Sequence, residues 1–88
     1  MSVKDQISNR LQLALDPVFL DVTDESHRHA GHAGAREGGE THFKVEVVSR
    51  AFVGKSRLDR HRLVNGLLAE ELQSRVHALA IVAKAPGE

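Results

Sequence analysis

The sequence predicts one α+β domain with the order helix, strand, strand, helix, strand, in which helices pack on one face of a three-stranded mixed sheet. Three observations support this fold class. Two segments repeat apolar residues with a helical period, two shorter segments alternate apolar and polar residues, and a nearly apolar segment follows the second helix. The chain has 88 residues, which is the length of one small domain. We therefore treat residues 1–88 as a single domain.

The first helix is predicted from an apolar face and from signals at both of its ends. Ser2 and Asp5 have the spacing of a capping box at the start of the helix. The Asp16-Pro17 pair ends the helix, because a residue before proline is disfavoured in the α region. The residues predicted on the buried face are Val3, Ile7, Leu11, Ala14 and Leu15.

The first two strands are predicted from period-two alternation. Residues 18–26 read VFLDVTDES and residues 41–49 read THFKVEVVS, and the simplest pairing of the two is an antiparallel hairpin. Residues 24–40 between them are polar and contain four glycines. Loops of this length are usually functional or disordered, so we expect a flexible loop over 24–40.

The second half of the chain predicts a helix followed by a parallel strand. Residues 50–55 form a short turn, and Ser56 caps a helix over residues 57–73. Glu71 falls inside the apolar stripe of that helix without an explanation from the pattern. Residues 76–84, VHALAIVAK, predict a strand covered on both sides that pairs in parallel with the second strand. The stripe consists of Leu63, Val64, Leu67, Leu68 and Leu72.

The composition excludes several classes of protein. The chain contains no cysteine, so a disulfide or a self-contained cysteine-bound metal site is excluded, and a reducing compartment is favoured. Twelve basic residues balance twelve acidic ones, which gives no overall attraction to nucleic acid. No apolar run approaches a membrane span, and the first residues are not those of a signal peptide, so we expect a cytoplasmic protein with no membrane partner. No nucleophile motif or marked carboxylate pair indicates an enzyme.

Histidines are concentrated in the polar loop. His27, His29 and His32 lie within SHRHAGHAG, where solvation is the commonest explanation and metal binding is the alternative. His77 opens an apolar strand, where a hydrogen-bonded structural histidine is the usual explanation. We interpret the other two histidines, His42 and His61, as structural or surface residues.

A basic cluster lies on the turn and the first half of the second helix. Lys55, Arg57, Arg60 and Arg62 fall within GKSRLDRHR, and such charges near a helix start can bind phosphates. Arg60 falls on the buried side of the helix, so covering the core with its stem is the alternative role. The chain has no exposed aromatic stretch for base stacking.

Several of these segments together resemble the BolA family. They are ETHFKVEVVS, FVGKSRLDRHRLVN, LLAEEL and VHALAI, which occur in the order and spacing of that family over roughly residues 5–84. The resemblance implies an α+β fold similar to a class II KH domain. It also implies either of two functions: pairing with a monothiol glutaredoxin in iron–sulfur delivery or iron regulation, or DNA binding as a transcriptional regulator.

The resemblance implies specific ligands as well. It assigns His77 as one ligand of a [2Fe–2S] cluster shared with a glutaredoxin and glutathione, and His29 as the best match to the loop ligand. The isolated protein would then hold no cofactor and would be a monomer or a weak dimer. In the DNA-binding alternative, the corresponding turn of KH domains is Gly54-Lys55-Ser56-Arg57, where the second glycine of the usual GxxG is missing.

Overall fold

The computed structural model describes residues 2–25, 42–74, 76 and 78–88. Over these ranges the chain order is helix, strand, strand, a short 3-10 turn, two helices and a strand. No helix in these ranges is long and apolar enough to cross a membrane. The helices are α1 (Val3–Leu15), α2 (Arg57–Leu67) and α3 (Ala69–Ser74). The strands are β1 (Phe19–Asp24), β2 (His42–Val48) and β3 (Ala78–Lys84), and the 3-10 turn is Arg50–Phe52.

The sheet has the predicted mixed topology, with the strand order β1-β2-β3. β1 pairs with β2 in antiparallel register and β2 pairs with β3 in parallel register. Val45 is the register partner of Val22 on one side and of Ile81 on the other, and all three face the helices. α1 packs against β1 and α2 packs against β3, so one face of the sheet carries the core. The predicted fold class is confirmed.

α1 begins and ends where the sequence signals predicted. The Ser2 hydroxyl accepts a hydrogen bond from the Asp5 amide at 3.1 Å, which satisfies a free donor of the first turn. Asp16 adopts a left-handed conformation with φ 43° and donates its amide to the Gln12 carbonyl. Ala14 is exposed, so its assignment to the buried face was wrong; the other predicted positions are buried.

The second predicted helix is divided in two, which corrects the expectation of one continuous helix over 57–73. Leu68 separates α2 from α3 with φ −104° and ψ 18°, outside the usual helical dihedrals. Gly66 lies in the turn before the break, and glycine lowers helix stability by about 1 kcal/mol relative to alanine. Leu68 remains buried, and its carbonyl accepts the Leu72 amide at 3.0 Å.

β3 is covered on one side only, which corrects a second expectation. Ala78 and Ala80 are exposed on the face opposite the helices, whereas Leu79 and Ile81 pack against the core. The segment appeared suited to burial on both sides because alanines are apolar, but they are small enough to leave exposed at little cost. Val18, which we placed in the first strand, precedes it and is also exposed.

A buried serine joins the end of α1 to the 3-10 turn. Ser49 has no exposed surface, and its hydroxyl donates to the Leu15 carbonyl at 2.6 Å. The same oxygen accepts the Ala51 amide at 3.1 Å, which starts the turn. Phe52 from that turn is fully buried in the core.

Candidate metal centre and candidate nucleic-acid interface

One end of the sheet carries the attachment points of both predicted cluster ligands. β1 ends at Asp24, and the Glu25 amide donates to the His42 carbonyl at 2.8 Å, so the two ends of the intervening segment are hydrogen-bonded to each other. His42 begins β2 and is the register partner of Ala78, the first residue of β3. The segment 26–41 and position 77 therefore connect to the described chain at the same end of the sheet.

The predicted ligands themselves lie outside the described residues. His29, with His27 and His32, belongs to 26–41, and His77 is also outside the described ranges. The predicted loop start at residue 24 is wrong, because Asp24 is the last residue of β1. Apart from Glu25, the rest of the predicted loop and its flexibility lie outside the described residues. Among residues 2–25, 42–74, 76 and 78–88, no group of three or more histidine, aspartate or glutamate side chains could hold a metal ion. The assignment of His29 and His77 stays a prediction.

Val76, the residue before His77, is held in place by a hydrogen bond to α3. Val76 is buried, and its amide donates to the Glu71 carbonyl at 2.9 Å. Since the peptide group of Val76 is held on one side and Ala78 is held in the sheet on the other, the chain enters and leaves position 77 at fixed points. His42 lies at the same end and is half-buried.

A buried carboxylate anchors α3 to α1. Glu71 is 5% exposed, and the Nε of Arg10 lies 2.5 Å from its Oε1. Arg10 also donates from Nη2 to the Oε2 of the exposed Glu70 at 2.7 Å. Neither carboxylate oxygen of Glu71 has a well-aligned hydrogen bond among the described residues. The sequence pattern places Glu71 in the apolar stripe but does not indicate its partner, because Arg10 and Glu71 are 61 positions apart and neither lies in a recognisable motif.

Three of the four basic residues predicted to contact phosphates are exposed to solvent. Lys55, Arg57 and Arg62 are exposed. Gly54 adopts φ 77°, a left-handed conformation that glycine accepts without steric cost. Ser56 caps α2 by accepting the Asp59 amide at 3.1 Å, as its position in the sequence predicted. The turn and the first turn of α2 thus form a small surface with net positive charge.

Arg60 has a different environment from the other basic residues. Its side chain is 12% exposed, its Nε donates to the Lys55 carbonyl at 2.9 Å and its Nη1 donates to the Ala83 carbonyl at 3.2 Å. Nη1 and Nη2 also donate to the two carboxylate oxygens of Glu88 at 2.5 and 2.8 Å. Arg60 therefore bridges the basic turn, the end of β3 and Glu88, a set of contacts that the helical pattern could not reveal.

The pairing changes the acidity of Glu88. The hydrogen bonds from Arg60, and then the one from the Ala85 amide, lower the pKa of the Glu88 carboxyl to about 2. The hydrogen bond to Glu88 in turn raises the pKa of the Arg60 guanidinium. Both groups therefore remain charged at neutral pH.

Comparisons with known proteins agree with the observed architecture. The chain is 53% identical over 87 residues to SufE-like protein 1 of Arabidopsis thaliana, described as chloroplastic and mitochondrial; the match covers 94% of this chain and 24% of that protein. It is 48% identical over 81 residues to the DNA-binding transcriptional regulator BolA of Escherichia coli K12, covering 92% of this chain and 73% of the relative. The chain thus spans about a quarter of the plant relative's length.

The structural comparison leads to the same group of proteins. The BolA domain of SufE1 from Arabidopsis thaliana superimposes with a TM-score of 0.88 at 51% sequence identity, covering 98% of this chain and 94% of that domain. The family model for BolA-like proteins matches residues 11–88. With the mixed sheet, the helices on one face and these matches taken together, the chain belongs to the BolA family.

Proposed function

We propose that the protein is an adaptor that binds a monothiol glutaredoxin and shares a bridging [2Fe–2S] cluster with it, in iron–sulfur delivery or iron regulation. The observation that carries the proposal is the convergence at one end of the sheet. The Glu25–His42 hydrogen bond closes the segment that contains His29, and the register partner of His42 is the residue that follows His77. Two imidazoles drawn from these segments would start from neighbouring points of one rigid frame.

The donor chemistry of the chain fits such a cluster. Iron–sulfur clusters prefer thiolates, but two histidines can replace two cysteines on one iron, as in Rieske centres. This chain has six histidines and no cysteine, so it could supply imidazoles and would need thiolates from its partners. A glutaredoxin cysteine and glutathione would supply those thiolates. When bound, the cluster would act as cargo or as an iron signal, and the role of this chain would be to bind and orient it.

The test is cluster assembly with single histidine variants. The protein is mixed with a monothiol glutaredoxin, glutathione, iron and sulfide, and visible circular dichroism is recorded. His77→Ala should abolish the spectrum of the mixed cluster, and His29→Ala should weaken or alter it. His27→Ala and His32→Ala are matched controls from the same loop and should leave the spectrum unchanged.

Three outcomes would contradict the ligand assignments or the proposed function. If His77→Ala is folded by far-ultraviolet circular dichroism and still forms the wild-type cluster, His77 is not a ligand. If His32→Ala loses the spectrum and His29→Ala does not, the cluster assignment holds but the loop ligand is His32. If no variant and no wild-type protein forms a mixed cluster, the adaptor function is wrong.

DNA binding is a second candidate function, supported by a specific observation. The Escherichia coli relative is described as a DNA-binding transcriptional regulator, and here Lys55, Arg57 and Arg62 are exposed around the turn that corresponds to the backbone clamp of KH domains. A neutral chain can bind phosphates through a local cluster of this kind, although the overall charge adds no attraction.

Salt titrations of single variants test the DNA-binding surface. Replacing Lys55, Arg57 or Arg62 with alanine should weaken binding for all sequences and reduce the slope of log K against log salt by roughly one for each lost contact. Lys44→Ala is the control, because it removes an exposed lysine from the open face of the sheet. It should change the affinity for DNA and the salt slope only a little. If wild type shows no binding at 50 mM salt, or the triple variant binds as tightly as wild type, this surface does not bind DNA.

A further inference from the structure

The contacts of Arg60 point to an anion receptor that the chain fills with its own carboxylate. We propose that Arg60 and the Ala85 amide form an oxyanion site that Glu88 occupies and keeps closed to other anions, and that a phosphate of nucleic acid binds there only when Glu88 is released. This inference rests on DNA binding as the second candidate function. It makes Arg60 a conditional phosphate contact, whereas Lys55 and Arg57 are available at all times.

The receptor is organised by the backbone and does not depend on Glu88 for its shape. The Lys55 carbonyl accepts from Nε of Arg60 and the Ala83 carbonyl accepts from Nη1, so two fixed acceptors from separate elements orient the guanidinium. With Glu88 in place, 12% of the Arg60 side chain is exposed. The edge formed by Nη1 and Nη2 is the one left for a ligand, and this planar fork matches both carboxylates and phosphates.

Among the partners of Arg60, the Glu88 carboxylate is more easily displaced than the Lys55 and Ala83 carbonyls. Glu88 is 46% exposed, and it lies beyond the end of β3, where its backbone amide donates to the Ala85 carbonyl at 3.2 Å. Its Oε1 also accepts the Ala85 amide at 3.1 Å. Gly87 is exposed and adopts φ 89°, so the connection between Ala85 and Glu88 contains a residue with few steric limits. Release of Glu88 would expose three aligned donors without unfolding a helix or strand.

The neighbouring charges favour a nucleic-acid backbone over a single acidic side chain as the competing ligand. The carbonyl that orients Arg60 belongs to Lys55, and the side chains of Lys55 and Arg57 are exposed on the same turn. A chain of phosphates can engage these cations and the receptor together. An isolated carboxylate would engage only the receptor and would gain nothing over Glu88.

The experiment measures binding of the full chain to fluorescently labelled duplex DNA between 50 and 200 mM salt. Glu88→Gln should tighten binding at low salt and make the slope of log K against log salt steeper by about 0.9, the value for one added phosphate contact. Over this fourfold range of salt, the added slope corresponds to about a 3.5-fold larger loss of affinity than in wild type. Arg60→Gln combined with Glu88→Gln should return the slope to that of wild type.

Glu70→Gln is the matched control. It removes the same charge and one hydrogen bond to an arginine, but at the Arg10 pair. An unchanged slope in Glu88→Gln, or an equal increase in Glu70→Gln, would overturn the proposal while leaving DNA binding in place. If neither wild type nor Glu88→Gln binds at 50 mM salt, both the proposal and the DNA-binding function are wrong. Binding by Glu88→Gln alone would support the proposal most strongly.

Discussion

The buried Glu71 carboxylate makes the stability of the domain sensitive to Arg10. Replacing Arg10 with alanine leaves Glu71, which is 5% exposed, without the guanidinium 2.5 Å away. Removing one partner of a buried ion pair typically costs about 3–5 kcal/mol. Because the Arg10 side chain is 43% exposed, water already screens part of the attraction, and we expect a loss near the lower end, about 3 kcal/mol. This is a large fraction of the roughly 5–15 kcal/mol that stabilises a typical domain.

Replacing Glu71 in place of Arg10 should leave the free energy of unfolding unchanged or raise it. Glu71→Met replaces the carboxylate with an apolar side chain of similar length at a position flanked by the buried Leu68 and the half-buried Leu72. Exchanging a buried ion pair for apolar packing is typically neutral or stabilising by about 1–4 kcal/mol. The double variant Arg10→Ala, Glu71→Met should therefore recover most of the loss caused by Arg10→Ala, because no unpaired carboxylate remains buried.

Urea unfolding followed by far-ultraviolet circular dichroism measures these free energies, since the chain has no tryptophan for fluorescence. Glu70→Gln is the control, because Glu70 is 79% exposed and also bonded to Arg10, and it should change the free energy of unfolding by no more than about 0.5 kcal/mol. If Arg10→Ala lowers the free energy of unfolding by no more than Glu70→Gln does, the burial of Glu71 does not make the ion pair important for stability. If Glu71→Met destabilises as much as Arg10→Ala, the ion pair contributes net stability, contrary to this prediction.

Three further predictions concern the end of β3 and two glycines. Arg60 lowers the pKa of Glu88 to about 2 from an ordinary value of 4.5, so the stability that the Arg60–Glu88 pair contributes is fully present above about pH 4.5 and is lost as the pH falls toward 2. The thermal unfolding temperature should therefore depend less on pH between these values in Glu88→Gln than in wild type. An identical dependence in the two proteins would contradict the pairing. Gly54→Ala should destabilise the protein by about 1–2 kcal/mol, because φ 77° strains a residue with a Cβ even where nothing lies within 4 Å. Gly66→Ala, inside α2 with equally open surroundings, should stabilise it by roughly 0.5–1 kcal/mol in the same urea assay, and equal effects at the two glycines would contradict this account.

Local signals in the sequence predicted the elements well, because their physical causes are local. Ser2, Ser56 and Asp16 mark helix ends through bonds to residues three or four positions away. The alternation in β2 specified which side chains face the core, since a shift of one residue would have exposed Phe43 and its neighbours. The helical link between β2 and β3 was sufficient to predict parallel pairing.

What the sequence could not predict arises from contacts between distant segments. Three side-chain contacts join segments that are far apart in the sequence, and no periodicity specifies such partners. They are the pairs Arg10 and Glu71, Arg60 and Glu88, and Ser49 and Leu15. In the candidate metal centre, the assignment of His29 and His77 rests on the family resemblance and stays a prediction, whereas the hydrogen bond between Glu25 and His42 could be found only from the strand register. The exposed face of β3 was missed because periodicity cannot show whether a second layer covers an apolar strand.

The two candidate functions occupy opposite ends of the same strand. β3 begins at Ala78, beside the attachment points of the predicted cluster ligands, and it ends at Lys84, next to the Ala83 carbonyl that binds Arg60. At the usual rise of about 3.3 Å per residue, these ends are about 20 Å apart. A glutaredoxin bound at the first end would therefore not have to cover the basic turn at the other. The fold thus permits a cluster-bearing partner and a nucleic acid on the same molecule, and any competition between them would have to arise from the partner's size or charge.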